Sequence, residues 1–135
     1  MLLVDSSVWI DAHRSALTEA TRYLAGRDDK EELAITGIIF QEVMQGVTDD
    51  RAFARLQAMF AALHLLEPDA LSTYELAAQL YRRARRAGLT IRKPNDCLIA
   101  ALALEHDALL VHNDRDFIHL AQVEPELVIF PGRPH

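Results

Sequence analysis

Short apolar runs of strand length recur along the chain, separated by longer stretches whose apolar residues return every three or four positions. The short runs are Leu2–Val4, Leu33–Thr36, Leu63–Leu66, Leu109–Val111 and Leu127–Phe130. A helix is expected to begin near Ser7. Another spans Ala16–Gly26, with Ser15 or Thr18 as N-cap and Gly26 as its stop. Ile38–Gly46 predicts a short helix. In Asp49–Ala62, residues Phe53, Leu56, Met59 and Phe60 form one buried stripe, which Leu63 continues. Ala70–Ala87 repeats the pattern through Leu71, Tyr74, Leu76, Ala77, Leu80 and Tyr81, and Gly88 ends it. Pro94 suits a first helical turn, and Cys97–Leu104 is apolar on nearly all sides, as a central helix covered on both faces would be. Asp116–Gln122 predicts a last helix. Strands alternating with helices imply an α/β fold, a central parallel sheet of about five strands flanked by helices on both faces. No repeat or linker divides the chain, so residues 1–135 read as one domain, with 131–135 as a loose tail.

Composition narrows this picture. The 135 residues are 50% hydrophobic and 25% charged, a globular balance that excludes general disorder. The longest apolar run, Cys97 to Leu104, falls well short of the roughly 20 residues that span a membrane. Met1–Val4 meets Asp5 too early for a signal peptide. Cys97 is the single cysteine, which excludes an internal disulfide and a paired-cysteine zinc site. A cytoplasmic, non-membrane protein is the expectation. The net charge of −6 argues against electrostatic coating of nucleic acid, yet the distribution is uneven. Arg82, Arg83, Arg85, Arg86, Arg92 and Lys93 fall in an acid-free stretch that leads to Asp96. It reads as a solvated helix end favoured by the helix dipole, as an RNA-binding rim that steers phosphate, or as both.

Four acids carry the chemistry. Asp5 closes the first apolar run, and Asp114 follows Leu109–Val111 after His112 and Asn113. Asp96 opens the all-apolar helix, and Glu42 interrupts the apolar segment Ile38–Met44. The C-terminal ends of parallel strands form one edge, where ligands collect. Carboxylates gathered there would repel one another unless a cation neutralised them, which implies a metal-dependent nuclease. Mg2+ and Mn2+ prefer oxygen ligands and lower the pKa of bound water, so hydrolysis would leave a 5′-phosphate and a 3′-hydroxyl. Local alternatives exist. Asp5 could cap the helix near Ser7, Asp96 could serve only the helix dipole, and Asp116 could be a ligand, a support to ligands or the last helix's cap. Ser6 could touch a metal-bound water or satisfy a turn. Turn or capping roles suit Asp11 and Asn95, and core or interface roles suit Trp9 and Phe40. His13, His64, His106 and His119 show no metal-ligand spacing and are expected on the surface. Ser7 lacks the glycine-bounded elbow of a hydrolytic triad.

The run Leu2-Leu3-Val4-Asp5-Ser6-Ser7-Val8-Trp9-Ile10-Asp11 resembles the opening of PIN-domain ribonucleases, above all the VapC-type toxins of prokaryotic toxin–antitoxin pairs. Phe40–Gly46, Asn95–Ala101 and His112–Phe117 resemble that family in the same order, so the likeness covers residues 1 to about 130. It implies a PIN fold with Asp5, Glu42, Asp96 and Asp114 as catalytic residues. One or two Mg2+ or Mn2+ ions would rest on Asp5, Asp96 and Asp114, with Glu42 and Asp116 as further candidates and Ser6 in support. It also implies an endoribonuclease toxin, a homodimer, and a small VapB-like antitoxin that blocks the site in a hetero-oligomer. An antitoxin Arg would suit the acidic pocket, and Trp9, Phe40 and Met44 would offer an amphipathic segment a groove. One departure falls at His112, where many relatives carry Thr or Ser. Two other readings compete: a metal-dependent phosphatase or phosphotransferase of another α/β fold, and a non-catalytic PIN-like module. Ser7 stands where an aspartyl-nucleophile enzyme would place its second Asp, and the intact set of four acids counts against lost chemistry.

Overall fold

The computed structural model describes residues 1–132. Five strands, β1 (Leu2–Val4), β2 (Leu33–Thr36), β3 (His64–Leu66), β4 (Leu109–Val111) and β5 (Ile129–Phe130), form one parallel sheet in the order β3-β2-β1-β4-β5. Seven helices connect and cover it: α1 (Ser6–His13), α2 (Glu19–Ala25), α3 (Gly37–Met44), α4 (Asp50–Ala61), α5 (Leu71–Arg86), α6 (Pro94–Glu105) and α7 (Arg115–Val123). The expected α/β sheet of five parallel strands is therefore present.

The central strands are apolar on both faces, as strands covered on both sides must be. Leu3 and Leu110 meet the larger core with Ile39, Phe60, Leu80, Ile99 and Phe117. Leu2, Val4 and Val111 point the other way, onto Val8, Ala20 and Leu24. Helix α6 buries Cys97 and Ile99 through Ala103, so it is enclosed as its unbroken apolar pattern predicts. Its small residues Ala100, Ala101 and Ala103 allow α5 to lie close along it. Gly88, at φ 76°, supplies the left-handed residue that ends α5.

Some boundaries differ from expectation. Thr18 is the cap of α2, and its side chain takes the Thr21 amide. Strand β5 begins at Ile129, while Leu127 is buried as a core residue before it. Helix α7 starts at Arg115 with Asp114 as its cap, because Asp114 is the residue in extended conformation and Asp116 already lies in the first turn. Residues 133–135 of the expected tail lie outside the described residues. Among the described residues, no helix is long and apolar enough to cross a membrane.

Candidate metal centre

Strands β1 and β4 lie side by side with Val4 paired to Val111. The chain adds β2 and β3 on one side of β1, then β4 and β5 on the other. The C-terminal ends of β1 and β4 therefore flank the point where winding reverses, the usual place for a ligand crevice. Asp5 leaves β1 there, its N–H donating to the Val111 carbonyl at 2.9 Å. Asp114 leaves β4 at the same edge, and Asp96 comes from the first turn of α6. Helix α3 packs against α1, where the Ser6 hydroxyl donates to Glu42 Oε2 at 3.1 Å.

Asp5, Glu42 and Asp96 each keep a buried oxygen that accepts no hydrogen bond, whereas both oxygens of Asp114 are engaged. Asp5 Oδ2 accepts from the Ser7 amide at 3.1 Å and the Ser7 hydroxyl at 2.6 Å, while Oδ1 is buried without a hydrogen bond. Ser7 Oγ in turn accepts the Asn113 amide at 3.1 Å and so ties the two loops together. The Asn113 side chain donates to Asp11 Oδ2 at 2.9 Å. Asp114 Oδ1 takes the Asp116 amide at 2.9 Å, and Oδ2 lies 2.6 Å from Lys93 Nζ. Glu42 Oε1 and Asp96 Oδ2 are also buried without a hydrogen bond.

Asp116 is built in differently. Its Oδ2 accepts both the Arg92 and the Lys93 amides at 3.1 Å, so it pins the loop before α6. Oxygens of Asp96, Asp114 and Asp116 lie within 4.8 Å of one another, which would admit a shared cation. With Oδ2 committed to two amides, Asp116 suits the support role better than the ligand role, and it is not the helix cap.

The electrostatics follow from burial. Loss of solvent raises Asp5 and Glu42 above the ordinary carboxylate range, with neighbouring carboxylates adding to the rise at Glu42. Burial pushes Asp96 up to about 8, the Lys93 ammonium working against it and the charges of Asp5 and Asp114 with it. Asp114 moves the other way: burial would raise it, but Lys93, the Asp116 amide and Arg92 outweigh that and hold it low. Burial would also lower Lys93, yet its bond to Asp114 and the charges of Asp96 and Asp5 leave it raised. Asp5, Glu42, Asp96 and Asp114 thus share one field. His112 is buried, and desolvation lowers it toward the neutral form. Nε2–H donates to the Pro131 carbonyl at 3.0 Å, and Nδ1 accepts the Asp114 amide at 3.1 Å. This histidine sets the backbone of an acid and leaves no donor for the cleft.

The donor set fits a hard divalent ion: all oxygen, several carboxylates, and three buried oxygens that accept no hydrogen bond. Asp96, Asp114 and Asp116 bring oxygens close enough to share it, while Asp5 and Glu42 stand in the same field outside that group. The basic segment divides. Arg92 lies 3.7 Å from Asp114 and 3.8 Å from Asp116, and Lys93 enters the cleft. Arg83 pairs with Glu124 at 3.6 Å, and Arg82 donates to Gln79 on its own helix. Arg85 and Arg86 are exposed. An apolar groove of about 120 Å3 runs from Glu42 along Trp9, Ile10, Val43, Val47 and Leu56. Met44, expected in such a groove, is buried in the core instead, and Phe40 packs edge-on against Phe60. Sequence reasoning missed Ser7 as the strut between Asp5 and Asn113. An Asp followed two residues later by Ser, the pattern of an Asx turn, is a signal that could have found it. It also placed His106 on the surface, whereas His106 is half-buried beside Asp69 and Glu105, with ligand atoms within 4.8 Å of theirs.

Comparison with known proteins adds the lineage. The family model of the PIN domain matches residues 2–123. Ribonuclease VapC11 of Mycobacterium tuberculosis and VapC ribonuclease Mb1587 of Mycobacterium bovis are each 38% identical to the chain over 127 residues, covering 91% of it and 93% of their own length. Among solved structures, VapBC-1 from nontypeable Haemophilus influenzae aligns with a TM-score of 0.71 at 17% identity over 95% of both chains. A toxin–antitoxin complex from Klebsiella pneumoniae aligns with a TM-score of 0.71 at 23% identity, covering 99% of this chain and 100% of the other.

Proposed function

The chain belongs to the PIN-domain family, and on that premise we propose that it is a metal-dependent endoribonuclease, the toxin of a toxin–antitoxin pair. The observation that carries this reading is the acidic cleft at the winding reversal, with buried oxygens on Asp5, Glu42 and Asp96 that accept no hydrogen bond. The 38%-identical mycobacterial ribonucleases support the activity class. Mg2+ or Mn2+ is the ion this oxygen set favours; once bound, it would supply an activated water and offset charge on the phosphate.

The chain's own residues do the positioning. Asp5, Asp96 and Asp114 are the ligands and Glu42 stands beside them, steered by Ser6. Ser7 and Asn113 fix the β1 and β4 loops, and Asp116 fixes the loop that carries Arg92 and Lys93. Arg85 and Arg86 form the rim that receives the RNA backbone, and Arg92, paired with Asp114 and Asp116, joins that rim to the acids. The protein is cytoplasmic and forms a homodimer. A VapB-like antitoxin lays an apolar segment in the groove beside Trp9 and brings a cation, best an Arg fork, to the acids. The phosphatase reading required another fold, and no observation favours it.

The test is biochemical and cellular together. Purified protein should cleave RNA with Mn2+ or Mg2+, lose that activity in EDTA, and leave 5′-phosphate ends. Expression alone should arrest growth, and co-expression of the small protein encoded beside it should restore growth. A harmless protein that cuts no RNA under either metal would sink the proposal.

A further inference from the structure

The cleft already contains a cation supplied by the chain itself. Lys93 Nζ lies 2.6 Å from Asp114 Oδ2 and 4.0 Å from Asp96 Oδ2. Its position is odd on local grounds, since Lys93 is the N-cap of α6 and gives that helix no side-chain cap. A positive charge at a helix N-terminus is disfavoured by the helix dipole. What compensates is the acid cluster, which draws the ammonium inward. The backbone beneath it is held: Asp116 Oδ2 grips the Arg92 and Lys93 amides, and Pro94 opens the helix immediately after. Only the flexible stem of the side chain is left to move, and half of that side chain is open to solvent.

From this geometry we infer that Lys93 is a tethered counter-ion of the metal cleft: it holds Asp114 and Asp96 in the metal-free protein, yields that seat to an incoming divalent ion, and swings to the rim to meet an RNA phosphate. The inference rests on the metal-centre reading of the acids. A monovalent ammonium and a divalent ion compete for the same oxygens, and the higher charge wins where several carboxylates converge. Lys suits the exchange because its charge is compact and its stem mobile, whereas a planar Arg fork would bind the carboxylate bidentately and leave more slowly.

The chain has two lysines, Lys30 and Lys93, which makes a direct assay possible. Lys30 is exposed and serves as the internal reference. Amine-selective acetylation followed by mass spectrometry would be run on the full-length protein in EDTA and in increasing Mn2+. Lys93 should be protected in EDTA by its 2.6 Å contact with Asp114 and become several-fold more reactive relative to Lys30 as Mn2+ saturates and that contact is released. Calorimetry should show Lys93→Gln binding Mn2+ roughly three- to tenfold tighter than wild type, the range expected of a partly exposed ion pair. Lys93→Arg should bind no tighter than wild type. In RNA cleavage, Lys93→Gln should raise KM more than it lowers kcat. Lys93 labelling that stays flat while Mn2+ binds overturns the inference and leaves the ribonuclease reading standing. Labelling that responds to Mn2+ in a protein that cuts no RNA upholds the exchange and removes the ribonuclease reading. Absence of Mn2+ binding overturns both. If Lys93→Gln does not fold, the labelling of wild type decides alone.

Discussion

Two clusters in this molecule are made of similar parts and have opposite characters. Asp96, Asp114 and Asp116 bring ligand atoms within 4.8 Å of one another, and so do Asp69, Glu105 and His106 near the far ends of α5 and α6. In the second cluster the groups serve the fold. The buried Thr73 hydroxyl donates to Glu105 Oε1 and accepts the Asp69 amide at 3.2 Å, and His106 Nε2–H donates to the Glu67 carbonyl at 3.1 Å. This knits the β3–α5 loop to the end of α6, where α5 has no side-chain cap of its own. Asp69 is exposed, so water offsets its charge. In the cleft, by contrast, Asp5, Asp96 and Asp116 are each 1% exposed, and Asp5, Asp96 and Glu42 each keep a buried oxygen that accepts no hydrogen bond, where the clasp has such an oxygen only on Glu105. Proximity of ligands does not distinguish a metal centre from a clasp. Several carboxylates sequestered together in one field, each with an oxygen left unsatisfied, do.

The largest predicted effect breaks one cluster and spares the other. Asp5→Asn, Asp96→Asn or Asp114→Asn should each weaken Mn2+ binding and reduce RNA cleavage by about two orders of magnitude or more. The metal-free fold should survive, because a repelling charge has been removed. Asp69→Asn and His106→Gln should change neither quantity. Calorimetry and a cleavage assay on the five variants check this, and equal losses in both groups would erase the distinction between centre and clasp.

Proton linkage sharpens the same contrast. Asp96 is raised in the fold from an ordinary 3.8 to about 8. Its contribution to stability is therefore complete below about pH 4 and is lost as pH climbs toward 8, at about 1.4 kcal/mol per pH unit for one proton. Asp5 and Glu42, also raised, act in the same direction. Asp114 is depressed, so its contribution is present above its ordinary value and lost only toward acid. In EDTA, Tm should fall from pH 5 to pH 8. Saturating Mn2+ should reverse that slope, because the metal needs the proton gone. Scanning calorimetry at several pH values is the check; parallel slopes with and without metal would mean that Asp96 is no ligand.

The two regions were not equally legible. The cleft acids stand out because each interrupts or closes an apolar run, and parallel strands carry such acids to one edge whatever the details. Asp5, Glu42, Asp96 and Asp114 could thus be named together from the sequence. The partners that tune them could not. The bond from the Asn113 amide to Ser7 spans 106 positions and exists because β1 and β4 pair in register. Lys93 looks like one more member of a basic run until Asp116, 23 residues on, fixes its amide and turns it inward. The clasp was invisible for the same reason: Thr73 and Glu105 meet only because α5 lies along α6.

Breaking the clasp should cost stability and nothing else. Thr73→Val keeps the shape but leaves half-buried Glu105 without its donor, which should destabilise the fold by about 1–3 kcal/mol. Denaturant unfolding would report this, with Mn2+ affinity unchanged. A shift in metal affinity instead would show that the clasp and the cleft communicate along α5 and α6.

The smallest effect concerns the basic segment that lies between Asp69 and Asp96 in sequence. Arg85 and Arg86 are exposed, whereas Arg83 is engaged with Glu124 at 3.6 Å. If the rim receives RNA, the arginines outside ion pairs should carry the binding, because an engaged one must first surrender its partner. Arg85→Gln with Arg86→Gln should weaken RNA binding several-fold and reduce the salt slope by about 0.7 for each single-strand phosphate that is no longer neutralised. Arg83→Gln should barely move that slope, and it should cost the fold at most about 1 kcal/mol, as partly exposed pairs do. Neither substitution should alter Mn2+ affinity, which belongs to the cleft. Binding curves at three salt concentrations separate the outcomes. A slope that follows Arg83 rather than Arg85 and Arg86 would move the RNA path toward α7. A slope indifferent to all three would return the segment to the role of a solvated helix end.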